Sequence, residues 1–185
     1  MKALTKRPAP CRPGRTTPLV LLALALAAPT VAQESARSGL WGGFGFGYGS
    51  RGCEGCDDRT GGFSGMGVIG GTLSDVVRIG GGTSFFARDE NDATLSIGSG
   101  LFLVQVFPGR GSFYLQGGAG FATAEVGIAD VQFQDEGAAF LVGLGYTADI
   151  GGSGKIALVP FANWMGTSID FNPDLFQFGV GLVWN

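Results

Sequence analysis

Two cysteines are the residues of this sequence best suited to redox or metal chemistry. Cys53 and Cys56 form a Cys-x-x-Cys motif, which can be a redox centre, part of a metal site or a local disulfide. A redox motif usually stands at a helix start, which favours the thiolate, whereas here Asp57 and Asp58 follow in a glycine-rich stretch and disfavour it. The pattern therefore favours a disulfide between Cys53 and Cys56, with a metal contact and a redox role as the alternatives.

Carboxylates supply a second candidate site. Asp89, Glu90 and Asp92 stand together, and their hard oxygen atoms suit calcium or another divalent cation. The cluster lacks the spacing and the glycine of an EF-hand loop, and charged loops are commonly only hydrated. These three residues are weak metal candidates, and we predict neither a resident metal nor a cofactor.

Most enzyme chemistry is excluded by what is missing. The 185 residues contain no histidine, which removes Ser-His-Asp, Cys-His and His-zinc sites, and no Ser-Lys pair or carboxylate dyad is evident. The glycines of residues 43–47 lack both the Gly-x-Gly-x-x-Gly spacing and the Lys-Ser/Thr of a phosphate loop. We therefore predict that the chain is not an enzyme.

The first 32 residues have the pattern of a secretory signal peptide. A basic start is followed by the apolar run Leu19 to Ala28 and by Val31-Ala32. The run is too short to span a bilayer, so we expect cleavage after Ala32. The remaining residues 33–185 carry seven basic and 15 acidic side chains, a net charge of −8, which makes nucleic acid an unsuitable partner.

The charges divide residues 33–185 into uncharged segments with a period of two. Phe140, Val142, Leu144 and Tyr146, for example, alternate with small or apolar neighbours, which is the signature of a strand. Connections between the segments alternate between long and short, as in an antiparallel meander that closes to remove its edges. The eight predicted strands lie near 39–50, 61–72, 76–88, 93–107, 112–125, 137–150, 155–165 and 175–185.

The two faces of these strands differ in bulk. One face carries Phe, Leu, Val, Trp and Tyr, and the other mostly Gly, Ala, Ser, Thr and Gln. An inner face without bulk could not form a soluble core, so the bulky face is expected to meet lipid. The long connections would then face outward, and they hold 11 of the 15 acidic residues. Met66 and Val68 against Phe63 and Ile69 give no clean face for the second strand.

Three further residues have an expected role inside such a barrel. Arg78 and Asp149 are the two charges on the inward register, and we predict a polar pair that plugs the lumen near Tyr114 and Gln116. The alternative is that both side chains reach water at the barrel end. Pro160 falls within a strand and cannot donate to its ladder, so irregular pairing or a bulge is expected there.

The chain resembles the small bacterial outer-membrane β-barrels of the OmpA and OmpX type. Its last strand, LFQFGVGLVWN, is similar to the C-terminal signal that the barrel-assembly machinery reads, although Asn185 follows the final aromatic residue. The resemblance implies an all-β fold: an eight-stranded antiparallel up-and-down transmembrane β-barrel, preceded by a cleaved signal peptide, in the bacterial outer membrane. The assembly signal would be Phe176, Phe178, Val180, Leu182 and Trp184.

Three functions follow from this fold class. The first is a structural or surface-interaction role through acidic outer loops, with outer-membrane lipid, the barrel-assembly machinery and an unidentified ligand or cell-surface molecule as partners. The second is a narrow passive solute pore, although eight strands are too few for a wide channel. The third is a soluble lipocalin-like ligand-binding barrel.

Overall fold

The computed structural model describes residues 37–52, 58–90, 93–128, 131–151, 154–169 and 172–185. These residues form eight long strands and one two-residue strand. A short 3-10 turn, Pro108–Arg110, joins β4 to β5, and the described residues include no helix that is long and apolar enough to cross a membrane. The strands are β1 Leu40–Gly52, β2 Thr60–Ser74, β3 Val77–Glu90, β4 Ala93–Val106, β5 Phe113–Ile128, β6 Val131–Tyr146, β7 Ala148–Asp149, β8 Ile156–Thr167 and β9 Asp174–Trp184.

All strand pairs are antiparallel, and the sheet closes on itself. Neighbours in sequence pair from β1 to β6, β6 and the short β7 both pair with β8, and β8 pairs with β9. The first and last strands complete the ring over Gly42↔Trp184 to Gly52↔Asp174. The fold is thus a closed eight-stranded up-and-down barrel, which confirms the predicted fold class. We call the end with both Leu40 and Trp184 the turn end, and the opposite end the loop end.

The outward face of the barrel is apolar, as predicted. Phe176, Phe178, Val180, Leu182 and Trp184 of β9 are all 36 to 55% exposed. The alternating apolar residues of β1, β5 and β6 are likewise exposed. The ambiguous second strand also resolves, because Phe63 and Ile69 point outward, whereas Met66 is buried and Val68 packs against an interior cluster.

The inward face is bulkier than the sequence pattern predicts, and that expectation was wrong. Three apolar clusters fill the interior, centred on Leu141, on Phe86 and on Phe107. The lipid-facing surface therefore does not follow from a lack of bulk inside. It follows from the barrel being apolar on both sides, which leaves its exposed outer face unsuited to water.

Inward glycines provide the space for this bulk. A Cβ at Gly49 or Gly62 would lie 2.7 or 2.8 Å from the ring of Phe86, so the ring packs directly on the backbone of both glycines. A Cβ at Gly145 would overlap the phenol of Tyr114. Large and small residues thus interdigitate across a lumen that has room only for side chains.

Two irregularities interrupt the ladders. The pairing of β6 with β8 stops at Gly145↔Phe161 and resumes as Ala148↔Leu158, so Pro160 lies at the break. The register is the same on both sides, so the predicted irregular pairing is an interruption and not a bulge. The register of β2 with β3 does shift, at Leu73.

The strands also extend further toward the loop end than predicted. β5 continues to Ile128 and β6 begins at Val131, so the expected long connection of 126–136 is mostly strand. Asp135 and Glu136 consequently belong to the barrel wall and not to a loop.

A polar row through the barrel interior as the candidate functional site

One line of directly paired residues runs through the barrel interior. Starting at Arg78 in β3, each residue stands opposite the next on the neighbouring strand. Because barrel strands are tilted, such a line climbs as it circles the barrel. Phe63 pairs with Ala87, and extending that register by one residue places Gly62 opposite Arg88. The line therefore returns to β3 at Arg88 and not at Arg78, where it began. We call it the lumen row: Arg78, Gln105, Gln116, Gly143, Asn163, Gln177, Gly49 and Gly62.

The first half of the lumen row is a chain of amide hydrogen bonds. Gln105 Nε2 donates to Gln116 Oε1 at 3.1 Å, and Gln116 Nε2 donates to Asn163 Oδ1 at 2.6 Å. Asn163 Nδ2 in turn lies 3.3 Å from the sulfur of Met66. Gly143 stands between Gln116 and Asn163, and a Cβ there would overlap the Asn163 carbonyl oxygen. The absence of a side chain at Gly143 therefore lets two amides meet across an intervening strand.

The second half continues through Gln177. Its Nε2 donates to Ser84 Oγ at 2.8 Å and to Ser64 Oγ at 2.5 Å, and its Oε1 accepts from Ser84 Oγ at 3.1 Å. Gln177 is 1% exposed and stands directly opposite Asn163. Buried amides and hydroxyls need partners, and these residues supply one another's.

Arg78 begins the lumen row at the turn end. The residue is 2% exposed, and its Nη2 donates to Asn185 Oδ1 at 2.5 Å. Its Cζ also lies 5.3 Å from the ring centre of Trp41 and 5.2 Å from that of Phe107, as in cation–π contacts. The predicted partner, Asp149, is exposed at the turn end in β7. Among the described residues, the structure brings Arg78 to Asn185 and two rings, and does not bring it to Asp149.

A second arginine closes the turn end. Arg37 donates to the backbone carbonyls of Gly111 at 2.7 Å and Asp75 at 3.3 Å, which ties two turns together. Its Cζ lies 3.9 Å from the ring centre of Phe107. Burial lowers the pKa of the Arg37 guanidinium from its ordinary value, and the carboxylates of Asp149 and Asp75 oppose that shift. Arg37 thus links the two turns at this end of the barrel. The sequence analysis did not single it out.

An apolar layer lies toward the loop end of the lumen row. Phe86 is fully buried and packs with Ile97, Met165 and Leu175. A cavity of about 20 Å³, the space of one water molecule, lies in the barrel wall region lined by Gln105, Tyr114 and apolar residues. The described interior is closely packed at this level.

The loop end carries a separate polar group. Arg59 Nη1 and Asp174 Oδ2 form a salt bridge at 2.8 Å, and Trp164 Nε1 donates to the same oxygen at 3.2 Å.

Asp89 accepts from Thr94 Oγ1 at 2.7 Å, whereas Asp92 and the side chain of Glu90 lie outside the described residues. No three cysteines or carboxylates come together in the described ranges in a way that could hold a metal. Cys53, Cys56 and the predicted signal peptide also lie outside those ranges.

Sequence reasoning missed most of the lumen row. It named Gln116 and Arg78, but not Gln177 or Asn163. Gln177 carries a usable signal, because it is a lone amide between Phe176 and Phe178 in a strand whose outward face is aromatic. Asn163 lies between Ala162 and Trp164 and could have been recognised in the same way.

Comparison with solved structures identifies the architecture. Neisserial surface protein A matches with a TM-score of 0.62 and 14% identity, over 81% of this chain and 98% of that one. This chain has the fold of the small outer-membrane β-barrels. The attachment invasion locus protein Ail of Yersinia pestis matches with a TM-score of 0.57 and 14% identity, over 80% of this chain and 100% of that one. No protein-family model matches the sequence, and no curated protein sequence is similar to it.

The outer-membrane fold accounts for the exposed apolar face. In such barrels the outward residues meet lipid, and aromatic side chains gather near the two interfaces. Phe44, Phe46, Phe63 and Phe85 form a continuous series of ring contacts over β1, β2 and β3, with centres 5.7 to 6.3 Å apart. Such a surface is favourable against acyl chains and costly in water.

Proposed function

We propose that this protein is a bacterial outer-membrane barrel that acts through its loop end, with the barrel serving as the membrane anchor. The packed interior is the observation that supports this role best. Phe86, Leu103 and Leu141 are 0 to 1% exposed inside the barrel, which supports an anchoring role over the passage of solutes. The loop end, whose loops and strand ends together hold most of the acidic residues, then remains as the part that can meet other molecules.

The proposal includes the partners that this location requires. The apolar outer face would be covered by outer-membrane lipid. The barrel-assembly machinery would recognise β9 through Phe176, Phe178, Val180, Leu182 and Trp184, the residues that resemble its signal. A ligand or cell-surface molecule would bind at the loops, where the net negative charge favours a cationic partner.

Two measurements test this function together. Cell fractionation is expected to place the mature protein in the outer-membrane fraction, with faster gel mobility before boiling than after it. Proteoliposomes that contain the folded protein are expected to show no more swelling in arabinose than protein-free liposomes. A mature protein that stays soluble without detergent would overturn the membrane location, and sugar uptake would replace the anchor role by a solute pore.

A further inference from the structure

We propose that the lumen row is a path for small inorganic anions such as chloride, closed toward the loop end by the ring of Phe86. This activity goes beyond the anchoring role, because a chloride ion that has exchanged part of its water for amide N–H groups is smaller than the sugars that the packed barrel excludes. The proposal depends on three features of the interior: the continuity of the polar groups, the sign of the charges, and the place where the polar groups stop.

Continuity comes from the register. Arg78, Gln105 and Gln116 are direct cross-strand neighbours, and Gln116 bonds to Asn163 across Gly143. Asn163 then stands opposite Gln177. Their amide N–H groups now bond to one another, and the same groups can turn to donate to an anion in passage. No apolar side chain of the row separates Arg78 from Gln177.

The charges of the interior favour anions. By their register, Arg51, Arg78 and Arg88 point inward, as do the described carboxylates Asp135 and, at the turn end, Asp149. The Nε of buried Arg78 has no acceptor among the described residues, so its guanidinium keeps a free donor. Rings or clusters of arginine select anions in channels. Arg78 is the one charged residue of the lumen row itself, so the row carries a positive charge.

Phe86 stands where the polar part of the row ends. Beyond Gln177 the row consists of Gly49 and Gly62, and the ring of Phe86 occupies the space above both. Arg88 lies on the far side of that ring, next along the inward face of β3, and its Nη1 donates to the carbonyl of Gly61 at 2.8 Å. A single apolar layer thus separates polar groups on both sides, which is how a hydrophobic constriction closes a channel by excluding water.

Planar-bilayer recordings in a potassium chloride gradient test the path. Phe86→Ala is expected to raise the conductance at least about tenfold over the wild-type protein, as removal of a hydrophobic constriction lets water fill the path. Leu141→Ala is the matched control, because it removes a buried inward side chain that belongs to a different apolar cluster from Phe86. Equal conductance of Phe86→Ala and the wild type, or an equal rise in Leu141→Ala, would overturn the proposal.

The reversal potential tests the selectivity. Phe86→Ala is expected to prefer chloride over potassium by about fivefold, the Boltzmann factor for one unit charge at ~4 Å in water. Adding Arg78→Gln should bring that preference close to one while the conductance stays above the wild-type level. Cation selectivity of Phe86→Ala would overturn the inference and leave the anchor role intact.

Each variant is first checked for the folded gel mobility before boiling. If Phe86→Ala does not fold, Phe86→Val is measured in its place, because it removes less volume. The conductance and the selectivity of Phe86→Val then decide the proposal as described for Phe86→Ala.

Discussion

Gly47→Ala should prevent stable closure of the barrel. Gly47 in β1 pairs with Gly179 in β9, at the seam between the first and last strands. A Cβ at position 47 would overlap the carbonyl oxygen of Phe178 and lie 2.5 Å from the Cα of Gly179. Both obstacles are backbone atoms, so no side-chain rotation can relieve them, and the two strands must move apart.

The size of the effect follows from overpacking. One added methyl group in a packed site costs about 1–3 kcal/mol when side chains can adjust, and we expect about 3 kcal/mol or more here because they cannot. Gly98→Ala is the matched control, since a Cβ at position 98 meets nothing within 4 Å. That variant should be neutral, or more stable by roughly 0.4–1 kcal/mol through a less flexible unfolded chain.

Urea unfolding in lipid vesicles measures both variants. Tryptophan fluorescence gives the free energy of unfolding, and gel mobility before boiling reports the closed barrel independently. Gly47→Ala is expected to shift the midpoint to lower urea and to reduce the fast-migrating band, and Gly98→Ala to do neither. Equal midpoints for the two variants would show that the seam tolerates a methyl group, and the steric argument for its glycines would fail.

Two further predictions concern the interior and the first loop. Gln116→Leu removes the partner of Gln105 Nε2 and of Asn163 Oδ1 and should lower the free energy of unfolding by about 2–4 kcal/mol. Gln134→Leu, at an exposed outward position, should change it by less than ~0.5 kcal/mol, and similar values for both would refute the network's contribution. The mature protein should have an intact mass two hydrogens below that of the free dithiol, because Cys53 and Cys56 are expected to pair; a free-thiol mass would contradict that pairing.

The sequence predicts the outward face well where small residues alternate with bulky ones. In β9, every second residue from Phe176 to Trp184 is bulky and apolar, and several of the residues between them are glycine or an amide. Only one choice of outward face is therefore compatible with the pattern. The same contrast exists in β1 and in much of β6. Lipid contact then explains why the bulky set is exposed.

Where both faces of a strand are apolar, the alternation of residues does not show which face points outward. Residues Leu101 to Val104 of β4 form a continuous apolar run, yet Leu101 and Leu103 point inward and Phe102 points outward. Only the pairing with neighbouring strands decides between the two registers. The bulk of the interior was underestimated because it comes largely from strands of this kind.

The contacts of Arg78 could not be predicted from the sequence. Its inward direction follows from alternation with Gly80 and Gly82, but its partner Asn185 lies at the other end of the chain. Which polar residues reach the same depth depends on strand tilt, which no local pattern encodes. Asp149 was predicted as the partner from its charge and its inward register, but the structure leaves that carboxylate exposed at the turn end.

The seam between β1 and β9 also has a consequence for how the protein folds. One edge of β1 pairs with β2, but the other edge finds its partner only in the final strand, so the barrel stays open there until that strand arrives. Contacts between distant parts of a chain carry a large loop-closure entropy and slow folding. During that delay an apolar strand edge is exposed to aqueous solution, which invites aggregation. The slowest folding step of a chain with this topology should therefore be the arrival of its last strand.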